Sequence, residues 1–148
     1  ILIQQNESVF TERIKMREIL FRGKPLGNLH GKYIYGSLGV IDTDLCAIYH
    51  CFKFKDDEMQ LVDPETVGQY TGLTDKNGKK IFEGDILRRA YHPEDDVVIE
   101  WFDGSFRFRK ANKPKDYGYS AVCCIQNAVS SLKIIGNAYD NPELLEKQ

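Results

Sequence analysis

Apolar positions along the chain recur with a period of two in short runs, and turn-forming residues break those runs every few positions. From Lys15 to Phe21, Ile19 and Phe21 alternate with Glu18 and Leu20 behind the basic Lys15 and Arg17, a pattern that predicts a strand. A loop from Gly23 to Gly31, rich in Gly, Pro, Asn and Lys, then feeds a short strand over Lys32 to Val40. The densest apolar run, Leu45 to Phe54, carries Ile48, Tyr49, Phe52 and Phe54, and its β-branched and aromatic content predicts a buried strand rather than a helix. Asp56, Asp57 and Glu58 end it in a solvated turn.

Beyond this point the punctuation is sharper. Val67 to Tyr70 can pair with Lys80 to Phe82 across Asp75-Lys76-Asn77-Gly78, where Asn-Gly is expected to supply the positive φ angles of a tight turn. Glu83-Gly84-Asp85 turns the chain into Ile86 to Tyr91, and a second hairpin joins Val97 to Phe102 with Ser105 to Arg109 through Asp103-Gly104. The one helix start is terminal: Asn141 can cap, Pro142 suits the first helical position, and Glu143 favours the helix dipole ahead of Leu144 and Leu145. The expected class is therefore all-β, hairpin-rich, folded as a small barrel or sandwich with one short C-terminal helix. Residues 1–15 read as an N-terminal arm whose Ile1, Leu2, Ile3, Val9 and Phe10 can pack on this chain or be lent to a second copy. Residues 16–148 read as one β domain with a soft internal boundary near 58–65.

Composition narrows the function classes. A chain of 148 residues, 42% hydrophobic and 28% charged, is the size of one soluble domain that needs neither disulfides nor metal to hold it together. With 20 Lys+Arg against 22 Asp+Glu, the formal net charge of -2 excludes a uniformly basic nucleic-acid binder, though not a local basic patch. Ile1 to Glu12 lacks the basic flank and apolar core of a signal peptide, and Tyr117 to Leu132 is too polar and too short to span a bilayer. A cytoplasmic protein without membrane partners is expected, its four cysteines reduced.

Catalytic and metal chemistry find little support in the spacing. Cys46 and Cys51, like the adjacent Cys123 and Cys124, project to opposite faces if they lie on strands, whereas a zinc site needs convergent thiolates, so small buried hydrophobes are expected. Asp75, Asn77 and Gly78 resemble part of a calcium loop, but Leu73 and Gly84 stand where its first ligand and closing Glu belong. Gly72 to Lys80 echoes a phosphate-binding loop with one residue too many between its glycines. His92-Pro93-Glu94-Asp95-Asp96 has the groups for a metal site or an acid–base pair, yet proline and acids are equally the residues of a solvated loop, which is the expectation. No catalytic residue, metal or cofactor is expected, and the protein reads as a non-enzyme.

One stretch carries a binding signal. Ser105 to Lys115 holds Arg107, Arg109, Lys110, Lys113 and Lys115 without an acid, and on a strand Arg107 and Arg109 share one face while Phe106 and Phe108 take the other as core. With Arg88 and Arg89 folded beside them, the candidate nucleic-acid-binding residues are Arg88, Arg89, Arg107, Arg109 and Lys110. Asp95, Asp96, Glu100 and Asp103 are close enough in sequence to neutralise that face, so a solvated, balanced surface is the leading expectation and the nucleic-acid module the alternative.

The stretch DPETVGQYTGLTDKNGKKIFEGDI, Asp63 to Ile86, resembles the signature of the YopX family, proteins encoded mainly by bacteriophages and prophages. MREILFRGK at Met16 to Lys24 and IIGNAYDNPELLE at Ile134 to Glu146 are similar to the usual beginning and end of that family. The resemblance implies an all-β protein in the cytoplasm of a bacterial host, with residues 66–137 similar to SH3-type barrels, and it implies no catalytic residues. Val67, Gly68, Tyr70, Gly72, Asn77, Gly78, Gly84 and Asp85 match the signature: the glycines suit turns, Val67 and Tyr70 a packed strand, and Asp85 a turn capped through backbone amides. Combined with the arm, the expected protein is a phage accessory factor that works through contacts with phage or host proteins and as a homo-oligomer.

Overall fold

The computed structural model describes residues 17–42, 44–49, 59–89, 92–113, 120–121 and 131–145, and these fold as two curled antiparallel sheets. The N-terminal arm, Phe52, Phe54, the Asp56–Glu58 turn, His50, Cys51, Cys123, Cys124 and Lys115 lie outside the described residues. The first sheet has the order β4-β3-β2-β1-β5-β6, built from β1 (Phe21–Gly23), β2 (Ile34–Asp42), β3 (Leu45–Tyr49), β4 (Met59–Val62), β5 (Gly68–Thr74) and β6 (Lys80–Phe82). The second has the order β10-β9-β8-β7-β11, from β7 (Asp85–Arg89), β8 (His92–Phe102), β9 (Ser105–Lys110), β10 (Ser120–Ala121) and β11 (Leu132–Asn137).

Curling of the first sheet brings the chain just after β1 against β4. Pro25 bridges Val62, the Leu26 amide donates to the Leu61 carbonyl at 3.0 Å, and the Asp63 amide donates to the Lys24 carbonyl at 2.9 Å. Cys46, Ile48 and Val62 fill the interior with Phe21, Ile34, Leu38 and Val67 packed around them. Glycine is required where β2 meets β3, because a Cβ on Gly36 would lie 1.9 Å from the Tyr49 carbonyl oxygen. A second core joins the two sheets: Ile81 of β6 and Leu73 of β5 pack with Leu87, Ile99, Phe106, Phe108 and Leu132 of the second sheet. The reverse face of that sheet buries Ile86, Val98 and Ala111 beneath Ile135, Ala138, Leu144 and Leu145.

Both predicted hairpins form, by different turn chemistry. At Asp103-Gly104 both residues have positive φ, 49° and 75°, and Phe102 pairs with Ser105, as a two-residue primed turn requires. At the other hairpin only Gly78 is left-handed, with φ 78°; the Gly78 amide bonds the Asp75 carbonyl at 2.9 Å and the Asp75 amide bonds the Lys79 carbonyl at 2.8 Å. That is a three-residue loop closed by a left-handed glycine rather than the expected Asn-Gly primed turn, because the Asp75 side chain takes over the amides the tighter turn would leave bare.

Three other expectations are corrected. Lys15 lies outside the described residues; of the rest of the strand expected over Lys15 to Phe21, only Phe21 is in β1, which pairs with β2 along its length and with β5 through Phe21 and Arg22, and Ile19 is exposed. The segment His92 to Asp96 is the start of β8, not a loop, with Asp96 buried against Arg88. The C-terminal helix is a single 3-10 turn, Pro142–Leu144: the Asn141 side chain turns back to accept from the Asn137 amide instead of capping forward, and one turn already docks Leu144 and Leu145, so the costly further nucleation of a helix is not driven.

Candidate functional site

The five basic residues singled out in the sequence do not converge. Antiparallel partners share a face, so Arg107, paired with Glu100, and Arg109, paired with Val98, lie with Arg88 on the side of Ile86, Val98 and Ala111. Lys110, paired with Val97, and Arg89, paired with Leu132, lie on the opposite side with the Leu87–Ile99 core. Three of the five are held by carboxylates. Arg88 grips Asp96 through Nε at 2.7 Å and Nη2 at 2.5 Å, and this bond holds its guanidinium above the ordinary arginine value. Arg109 grips Glu100 at 3.0 and 2.8 Å and also donates to the carbonyls of Lys110 and Lys113, while Lys110 meets Asp95 at 3.0 Å. Arg107 bonds the Ser105 hydroxyl at 2.8 Å, and Arg89 is exposed. Among the described residues no group of three or more His, Cys, Asp or Glu is placed to hold a metal, and no helix is long and apolar enough to cross a membrane. Cys46 is buried as a core residue; burial pushes its thiol up, which makes it unreactive.

Charge is concentrated instead where the two sheets meet. The Glu83-Gly84 turn that follows β6 is the meeting point: the Gly84 amide donates to the Ile99 carbonyl of β8 at 2.8 Å, and its carbonyl accepts from the Ala138 amide at 2.7 Å. Gly68 leaves room for the Glu83 carbonyl, which a Cβ there would approach to 2.6 Å. Into this junction β1 sends Arg22. Its Nη2 bonds Asp85 at 2.7 Å and the Glu83 carbonyl at 3.2 Å, and the two side chains are 7% and 2% exposed. Asp85 also accepts from the Phe82 amide at 2.8 Å, which is the turn cap its place in the sequence predicts. Burial pushes its carboxyl above the ordinary aspartate value, and Arg22 with the Phe82 amide only partly offsets that.

Lys24, two residues on and 3% exposed, donates to the Leu29 carbonyl at 2.8 Å and to Asp140. Tyr33 closes the group: Arg22 lies 4.5 Å and Lys24 5.2 Å from its ring centroid, its hydroxyl donates to Asn137 at 3.2 Å, and burial pushes its pKa up to about 12. Asn137 and Asn141 fold the C-terminal segment onto the junction, since Asn137 Oδ1 accepts from the amides of Tyr139 and Asp140 at 3.0 and 2.9 Å. Beside Arg22 a cleft of about 530 Å³ opens, walled by Tyr33, Tyr35, Lys79, Lys80, Phe82 and the strand Ile134–Asn137.

Residues 29–146 match the YopX protein family. The chain belongs to the YopX family. In this YopX chain the segments that resembled the family signature are those that build the junction: FRGK supplies Arg22 and Lys24, FEGD the turn and Asp85, and GNAYDN the segment that covers them. The crystal structure of protein EF1440 from Enterococcus faecalis is similar in fold, with 24% identity, a TM-score of 0.52, and coverage of 88% of this chain and 100% of that one. No curated protein matches the chain. Reading the sequence alone missed Arg22, Lys24, Tyr33 and Asn137. The available signal was the spacing of Arg22 and Lys24 by two beside apolar Phe21, which on a strand buries two cations on one side and calls for partners elsewhere.

Proposed function

We propose that this YopX protein is a non-enzymatic phage or prophage accessory factor that acts through protein contacts, beginning with a second copy of itself. The observation that carries this reading is a block of exposed apolar side chains on the outer face of the first sheet. Tyr49 pairs with Met59 and Ala47 with Leu61, so Tyr49, Met59 and Leu61 stand side by side there, with Leu26 next to Leu61 through its amide bond. The block carries no charge, its complement is apolar, and every copy presents it; a two-fold axis through it brings identical patches together. The junction carboxylates are engaged in structural bonds, Asp85 with Arg22 and the Phe82 amide and Asp140 with Lys24 and the Asn137 side chain, which favours scaffold over acid–base roles. The packing of Leu73 and Ile81 on the second sheet supports an SH3-type barrel over residues 66–137.

Sedimentation equilibrium tests self-association. The expected result is a dimer or larger for the wild-type chain and a monomer for Met59→Lys/Leu61→Lys; a wild-type monomer at the highest soluble concentration would overturn it. The nucleic-acid alternative has a weaker footing, because Arg88 and Arg109 must leave carboxylates in pairs with a largely buried member before they gain phosphates. Fluorescence anisotropy with labelled DNA and RNA across a salt series, beside Arg107→Glu/Arg109→Glu, decides it: salt-sensitive binding lost in that variant would favour the alternative.

A further inference from the structure

The cleft beside the junction has a property the self-association reading does not use. Arg22 is a buried guanidinium whose donors are only partly satisfied: Nη2 is bonded twice, Nε is sealed from solvent with no acceptor, and the residue lines the cleft. Tyr33 and Phe82, 4.5 and 5.0 Å from the guanidinium carbon, supply ring contact but no acceptor. Buried donors in native proteins are nearly always bonded, so an arginine held in this state points to an oxygen that arrives from outside the chain.

We propose that the cleft binds a small organic anion that combines a flat ring with a phosphate, of the mononucleotide class. Its volume, about 530 Å³, lies within the range that small-ligand sites occupy. One side of it is cationic. Arg22, Lys79 and Lys80 line it, and the Lys79 ammonium is near enough to act on the Asp85 carboxyl. Lys80 bonds Glu18 at 2.5 Å, but both side chains are exposed, and a solvent-screened pair of this kind exchanges readily for a phosphate. Three carboxylates face these three cations, Asp85 at Arg22, Asp75 near Lys79 and Glu18 at Lys80, and the exposed Glu18 is the one an incoming phosphate displaces.

The other side is aromatic. Tyr35 lines the cleft, is 44% exposed, and tilts against Phe82 with ring centroids 5.4 Å apart. A base stacked on Tyr35 places its phosphate toward Arg22 and the two lysines, and stacking tolerates any base because every base has a π face. Inorganic phosphate alone uses only the cationic side, and a nucleoside only the aromatic one.

Isothermal titration calorimetry of the full chain with the four ribonucleoside 5′-monophosphates, adenosine and inorganic phosphate tests the proposal. At least one mononucleotide is expected to bind saturably, about tenfold or more tighter than adenosine or phosphate, with Lys79→Glu and Tyr35→Ala each weakening it by about tenfold. Both side chains are solvent-accessible, so urea unfolding midpoints close to wild type will show that the variants are folded. No saturable mononucleotide binding, equal binding of phosphate or adenosine alone, or binding unchanged in both variants would each overturn the assignment.

Discussion

Asp75 closes the β5–β6 hairpin and ties it to β11, and its replacement measures how much of the fold depends on one carboxylate. Oδ1 accepts from the Asn77 amide at 2.8 Å and the Lys79 amide at 2.9 Å, and Oδ2 accepts from the Ile134 amide at 3.2 Å, 59 residues away. The two local bonds are part-buried, but their donors belong to the exposed Asn77 and Lys79, where water can replace the lost acceptor, so each contributes about 1 kcal/mol. The bond to part-buried Ile134 leaves an unsatisfied amide when broken and contributes about 1–2 kcal/mol. Asp75→Ala is therefore expected to cost about 3 kcal/mol, a fall in Tm of roughly 6–12 °C for a chain of this size. Asp75→Asn keeps one oxygen for the turn but presents an NH2 to Ile134, and should cost about 2 kcal/mol.

The pH dependence gives an independent check on the same residue. Burial pushes the Asp75 carboxyl up, but the three amide bonds together with the Lys79 charge outweigh it and hold the group below the ordinary aspartate value of 3.8. As pH falls, the unfolded chain takes up the proton first. The stability Asp75 contributes is thus fully present above about pH 3.8 and lost as pH falls through the lower folded value. Urea unfolding followed by circular dichroism from about pH 6 to about pH 2 should show the gap between wild type and Asp75→Asn closing at the acid end. A gap that does not change with pH, or an Asp75→Ala cost under about 1 kcal/mol, would refute the reasoning.

Asp85→Ala leaves Arg22 buried without its carboxylate and should cost about 3–5 kcal/mol, whereas Arg22→Met/Asp85→Leu removes both charges and should lie closer to wild type, since burying the pair is itself expensive. Thermal denaturation of the two variants side by side checks this, and a double variant less stable than Asp85→Ala would count against it. Gly36→Ala drives a Cβ into the Tyr49 carbonyl of the neighbouring strand, and should abolish cooperative unfolding or cost more than about 3 kcal/mol. A near-UV spectrum and urea midpoint like those of the wild type would contradict it.

The β class, the Asp103-Gly104 turn and the cap formed by Asp85 were all legible in the sequence, because each depends on a few neighbouring residues whose φ preferences and short side chains act locally. The family signature was legible too, but its meaning was not: read alone, the motif is a set of turns, while folded it is the place where β1, β5, β8 and the C-terminal segment meet. Length of elements was decided at a distance. Lys15 to Phe21 has the alternation of a strand, yet among its described residues only Phe21 finds strand partners, in β2 and β5, and Asn141 has the chemistry of a helix cap, yet its side chain is claimed by Asn137.

The basic residues divide for the same reason. Alternation predicted that Arg107 and Arg109 share a face, which they do, but whether Arg89 and Lys110 join them depends on strand register, and register places those two on the opposite side of the sheet. Arg22 lies furthest from what local pattern reveals, since its partners Glu83 and Asp85 are more than 60 residues along the chain, counting to either. Local propensity therefore determined which segments are strands and turns, and tertiary structure alone decided which charges are buried together, because desolvation and pairing depend on neighbours in space rather than along the chain.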